Sequence, residues 1–148
     1  MTTTERKYPA PALNPEIKPF FDAATEGKLA LKKCGACGQA HHYPRAICPF
    51  CASDRTEWIT ASGRGTIYSY SVMRRVPVPY AIGYVTLEEG VTMMTNIVDC
   101  DLDAIRIGQR VKVVFCRPTA DRRCPCSPRP DRPRVSPMSQ LYDAIGVG

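Results

Sequence analysis

The chain has 148 residues, 44% of them hydrophobic, and a formal net charge of +6, which allows one ordinary domain or a small metal-stapled module beside a compact barrel, and excludes two large domains. No apolar run approaches the roughly 18 residues needed to span a bilayer, and the charged, proline-bearing start "MTTTERKYPAPALNPEIKPFF" lacks the apolar core of a signal peptide. A cytoplasmic protein is therefore expected, in which eight cysteines serve as metal ligands or buried thiols rather than disulfides.

Residues 1–28 read as a polar arm followed by a short helix. In "NPEIKPFFDAATEG", Pro15 opens a turn, Pro19 suits a first helical turn, Phe20, Phe21 and Ala24 share one face, and Gly27 terminates the helix. The two phenylalanines anchor this segment, either on the rest of the chain or on a partner. In residues 29–60, "LALKKC" and "AHHYP" read as strands flanking a first cysteine pair, and "RTEWI" as a strand after a second.

Residues 61–117 change pattern. "GRGTIYSYSVMRRV" places Thr66, Tyr68, Tyr70 and Val72 on one face of a strand and Ile67, Ser69 and Ser71 on the other. "YAIGYVTLEEGVTMMTNIVD" reads as strand, turn at 88–90 and strand, with Val91, Met93 and Ile97 on one face. "DLDAIRIG" is a turn or short helical connection, and in "QRVKVVF" Val111, Val113 and Phe115 alternate. The expected architecture is mainly β: a helix, a four-cysteine ribbon and a small OB-type Greek-key barrel, in which a fifth strand is not recognisable. Residues 118–148 hold six of the 14 prolines and no alternation, so a disordered tail is expected. The abrupt change of composition reads as an out-of-frame extension, and "MSQLYDAIGVG" resembles the start of a separate protein.

The cysteines Cys34, Cys37, Cys48 and Cys51 follow the spacing C-x2-C-x10-C-x2-C. Two such knuckles on adjacent hairpins can complete a tetrahedron of soft ligands, and four protein ligands leave no open position for substrate, so a structural zinc site is expected. Iron in the same ligand set is the alternative; a redox pair fits less well, because there are two pairs and no βαβ setting. His41 and His42 lie on the intervening strand with side chains on opposite faces, as bystanders to the metal.

Catalytic machinery is not evident. The remaining thiols are Cys100, Cys116, Cys124 and Cys126, the histidines lie in the ribbon, and Asp99 and Asp101 disfavour a Cys100 thiolate. Glu88 and Glu89 fall in a hairpin turn as solvated charge, and Asp99, Asp101 and Asp103 read as caps of the short helix that follows. Against a nucleic-acid binder, residues 117–148 carry six Arg against three Asp, leaving +3 on residues 1–116 and no dense basic stripe. An OB barrel that stacks bases on Tyr68 and Tyr70 is kept as the alternative.

The cysteine spacing, then "SGRGTIYSYSV", "PYAIGYVTLEEG", "TNIVD" and "RIGQRVKVVF" in that order, resemble the small rubredoxin-like zinc-ribbon plus OB-fold proteins associated with acyl-CoA metabolism, the former domain of unknown function 35. The resemblance covers residues 16–117. It implies a non-catalytic partner of a thiolase-like enzyme that also contacts acyl-CoA, and it implies an apolar last barrel strand where this chain instead runs into "DRRCPCSPRPDRPRVSP". Under that expectation Arg64, Arg74, Arg75 and Lys112 are the candidate contacts for coenzyme A phosphates, since a guanidinium bonds two phosphate oxygens at once. Phe20, Phe21 and the tip of the "RRVPVPY" loop, Pro77 and Pro79, are the candidate partner contacts.

Overall fold

The computed structural model describes residues 12–115 and the backbone of residues 134–137. Asn14 begins the first turn: its carbonyl accepts the N–H groups of Ile17 and Lys18, at 3.2 and 2.9 Å, and its side-chain Oδ1 also accepts from Ile17 at 3.0 Å. Helix α1, Lys18–Thr25, follows with proline in its first turn, as expected. It ends in a Schellman arrangement, with Gly27 at φ 75° donating to the Ala24 carbonyl and Lys28 to that of Ala23. Eight residues do not hold a helix in water; burial of Phe20, 2% exposed, fixes this one on the chain.

Strand β1, Leu29–Cys34, is the middle strand of an antiparallel sheet between β2, Ala40–His41, and β3, Thr56–Ala61. β2 is shorter than "AHHYP" predicts, pairing only Lys32 with His41 and Lys33 with Ala40. Pro44, lacking an N–H, could not have continued the ladder as a donor.

Five strands make a closed barrel: β4, Arg64–Met73; β5, Tyr80–Leu87; β6, Thr92–Val98; β7, Arg110–Val113; and β8, Arg134–Pro137. Their order is β4-β5-β6-β8-β7, with β7 returning to pair with β4, the five-stranded Greek-key arrangement of an OB fold. The unrecognised fifth strand is thus β8. It pairs antiparallel with β6 and parallel with β7, and "RVSP", with one β-branched apolar residue among prolines, carries no alternation by which to find it. The rest of 118–148, with its expected disorder and change of frame, lies outside the described residues.

A second difference lies within β4. Its pairing with β5 shifts between Ile67 and Ser69, a bulge that interrupts the alternation. Before the bulge Gly65 and Ile67 face inward; after it Tyr70, 39% exposed, pairs with the buried Gly83, while Tyr68 is 68% exposed. Tyr68 therefore does not share a core face with Val72. Gly83 permits this close approach: a Cβ there would lie 2.5 Å from the Ser69 carbonyl oxygen and 3.1 Å from Ile97 Cδ1.

One cluster of buried side chains joins Phe20, Leu29 and Leu31 to Ile67, Val85 and Ile97, so helix, ribbon sheet and barrel share a core. The β5–β6 turn reinforces the junction. Glu89 Oε1 accepts the Ser62 N–H at 2.6 Å and Glu88 pairs with Arg64 at 3.3 Å, a use of the two glutamates beyond solvated charge. Among the described residues, no helix is long and apolar enough to cross a membrane.

Candidate metal centre

Two matching turns build the four-cysteine cluster. In the first, Cys34 N–H donates to the Gln39 carbonyl and Gly38 N–H to the Cys34 carbonyl, both at 2.9 Å. In the second, Cys48 N–H donates to Ser53 at 2.9 Å and Ala52 N–H to Cys48 at 3.0 Å. The fourth residue after each leading cysteine is left-handed: Gly38 at φ 74° and Ala52 at φ 58°. Each turn also aims a backbone donor at its leading sulfur, Ala36 N–H at Cys34 Sγ, 3.3 Å, and Phe50 N–H at Cys48 Sγ, 3.4 Å.

The four sulfurs all lie within 4.8 Å of one another, with Cys34–Cys51 at 3.6 Å and Cys37–Cys48 at 3.7 Å. Tetrahedral metal–sulfur bonds of about 2.3 Å would separate ligands by about 3.8 Å, so the spacing fits a zinc ion. Cys34 and Cys48 are buried, Cys37 and Cys51 exposed. The backbone hydrogen bond from Cys37 is the largest influence on Cys34, whose pKa falls to about 6. At Cys51 the Ser53 backbone hydrogen bond lowers the pKa, but burial and the other three thiols together push it up to about 11. A cation removes that mutual opposition by taking all four as thiolates.

The histidines stand apart from the sulfur cluster. His41 is 4% exposed, its ring 6.5 Å from that of Phe50. His42 packs 5.3 Å from the Phe20 ring, and burial, followed by the neighbouring His41, lowers its pKa to about 4.

The candidate phosphate contacts separate into two places. Arg64 and Lys112 are directly opposed on β4 and β7. Arg74 lies beyond the other end of β4, bound to Asp103 at 2.6 Å, with exposed Arg75 beside it. Arg110, which sequence reasoning did not single out, joins Arg64 and Lys112 in one groove; only the β4–β7 register brings it there. Of the candidate partner contacts, Phe20 is spent in the chain's own core, Phe21 is half-buried, and Pro77 and Pro79 are exposed in the β4–β5 loop. Cys100, half-buried, has its pKa raised by burial and then by Asp101 and Asp99, and Asp101 Oδ1 accepts the Asp103 N–H at 3.0 Å in a turn rather than a helix cap. Cys116, Cys124 and Cys126 lie outside the described residues.

A rubredoxin-like ribbon with a closed four-thiol centre, sharing a core with an OB-type barrel, defines a two-module zinc-ribbon protein. Family models described as the ChsH2 rubredoxin-like zinc ribbon domain and the ChsH2 C-terminal OB-fold domain match residues 21–57 and 58–116. The chain belongs to this zinc-ribbon plus OB-fold family, DUF35. It is 41% identical over 94 residues to a DUF35 domain-containing scaffold protein of Methanothermobacter thermautotrophicus, covering 59% of this chain and 71% of that one. A probable enoyl-CoA hydratase alpha subunit of Thermomonospora curvata is 36% identical over 108 residues, covering 70% of this chain but only 34% of the relative. The chain thus spans about a third of that relative's length. The benzoylsuccinyl-CoA thiolase subunit BbsA of Thauera aromatica is 29% identical over 102 residues, covering 59% and 71%. Among solved structures, a chain of the Ltp2-ChsH2(DUF35) aldolase superposes with a TM-score of 0.67 at 30% identity, covering 87% of this chain and 99% of that one.

Proposed function

We propose that this chain is a non-catalytic, cytoplasmic accessory subunit that docks to a thiolase-like enzyme of acyl-CoA metabolism, with Cys34, Cys37, Cys48 and Cys51 holding one structural zinc ion. The observation that carries this reading is the closed four-sulfur centre of a ribbon whose strand β1, through Leu29 and Leu31, shares a core with the barrel. Four protein ligands leave the metal no position for substrate, so its work is to stiffen a surface. Among the described residues, the thiol outside the ribbon, Cys100, has a raised pKa, and both histidines lie in the ribbon, away from that thiol in the sequence. Relatives named as a scaffold protein and as a thiolase subunit support the same role. Phe21, Pro77 and Pro79 are the proposed partner contacts and Arg64 and Lys112 the proposed contacts for acyl-CoA, whereas Arg74, bound to Asp103, and Arg75 beside it lie at the other end of β4 and are set aside.

Affinity purification of the full chain from its own cells, with identification of what comes with it, tests the proposal. A thiolase-like enzyme in fixed stoichiometry, with one zinc per chain, is expected. A monomer with no thiolase-like companion at low or moderate salt contradicts it. A second reading, single-stranded nucleic-acid binding, draws on Tyr68 and Tyr70, 68% and 39% exposed, with Tyr84, 45% exposed, added by the structure. It predicts salt-dependent binding of single-stranded DNA, and no binding at low salt removes it.

A further inference from the structure

The register of β4 and β7 sets Arg64 opposite Lys112 and Thr66 opposite Arg110. Opposed residues of an antiparallel pair project from the same face. The intervening Gly65 and Val111 are buried, so Arg64, Thr66, Arg110 and Lys112 all point outward. With Thr86 and Glu88 they line a groove of about 440 Å³. Like charges directly opposed destabilise a strand pair, yet this one keeps three cations together. Its carboxylate, Glu88, is engaged by Arg64 at 3.3 Å, and Arg110 and Lys112 form no ion pair among the described residues. The groove is thus left with an excess of positive charge matched to a dianion.

We infer that this groove is a subsite for a phosphate-bearing small molecule, held by Arg110, Lys112 and Arg64. Guanidinium forks and an ammonium suit phosphate oxygens, Thr66 presents a hydroxyl from the same face, and the groove has the size of a single-ligand pocket rather than an extended track. Arg74 and Arg75, beyond the far end of β4, do not belong to it. The inference deepens the acyl-CoA reading and rests on it only for the identity of the phosphate carrier; capture of the anion is measurable without the partner enzyme.

Calorimetric titration of the full, zinc-loaded chain with inorganic pyrophosphate, and separately with ADP, at low ionic strength tests it. Saturable one-site binding is expected, weakened about tenfold or more by Arg110→Gln and by Lys112→Gln and changed less than about twofold by Arg74→Gln. All three side chains are exposed, so unchanged melting midpoints will show that the variants fold. Tighter binding of ADP identifies a nucleotide carrier, and equal affinities identify phosphate alone as the recognised group; either supports the subsite. Absence of saturable binding, equal loss in Arg74→Gln, or tighter binding of a hexaglutamate peptide than of either phosphate overturns it. Phosphate binding by a chain that captures no thiolase-like enzyme leaves the groove standing and removes the accessory-subunit reading; the converse removes the groove alone.

Discussion

Gly38 and Ala52 occupy equivalent left-handed positions in the two cysteine turns, but only one of them is glycine. A Cβ costs about 1–2 kcal/mol in that conformation, against about 0.5–1 kcal/mol of extra chain entropy for glycine. Ala52→Gly is therefore expected to stabilise the ribbon by about 0.5–1 kcal/mol, and Gly38→Ala to weaken it by a similar amount, since open space surrounds a Cβ at Gly38 and only backbone strain acts there. Zinc retention against a chelator reads both, and a shift in the same direction for the two variants would contradict the equivalence. His42 adds a pH dependence. Its folded pKa of about 4 lies below the unfolded 6.5, so between those values the unfolded chain takes up a proton that the folded chain refuses. Stability falls as pH drops through that window, by up to about 3 kcal/mol from this group. Denaturant melts at pH 7 and pH 4.5 should show a smaller decline for His42→Phe than for the native chain; equal declines would exclude His42 as a source. The ligand set was legible because cysteine pairs two residues apart need only local geometry to share a metal. Arg110 was not, because its place in the groove depends on a partner strand distant in the sequence.

Strands with strict alternation were legible at the scale of elements: Val91, Met93 and Ile97, expected on one face, are all buried. β4 was only half legible, because alternation is blind to a bulge that reverses phase within the strand. Gly83→Ala, which would press a methyl group onto the Ser69 carbonyl beside that bulge, is expected to lower stability by about 2 kcal/mol in a denaturant melt. A change below about 0.5 kcal/mol would mean that the strands part without strain. β8 tests the barrel directly. A chain ending at Arg117 leaves β6 and β7 without the strand that joins them, and exposed edges favour association. Such a chain should melt at lower temperature and aggregate more readily, whereas an unchanged melt and a monomeric state would show that closure by β8 is dispensable.

For the whole molecule, the shared core matters more than either module. Phe20, Leu29 and Leu31 pack in one cluster with barrel residues such as Ile67 and Val85, so the metal-stiffened turns are carried by the same packed body as the barrel and the basic groove. A rigid body with separate faces is what a docking subunit requires, since pre-organisation limits the ordering that binding must impose. The order of the two modules was legible from the cysteine spacing followed by the strand series; their common core was not, because it rests on long-range packing between residues of different periodicity. Reconstitution decides between a docking subunit and a free-standing protein: turnover of an acyl-CoA substrate by the thiolase-like enzyme from the same cells, measured with and without stoichiometric zinc-loaded chain, and with the chain alone. No turnover by the chain alone is expected, and a partner activity that falls when the chain is omitted. Turnover by the isolated chain, or a partner enzyme indifferent to its presence and forming no complex with it, would contradict the account.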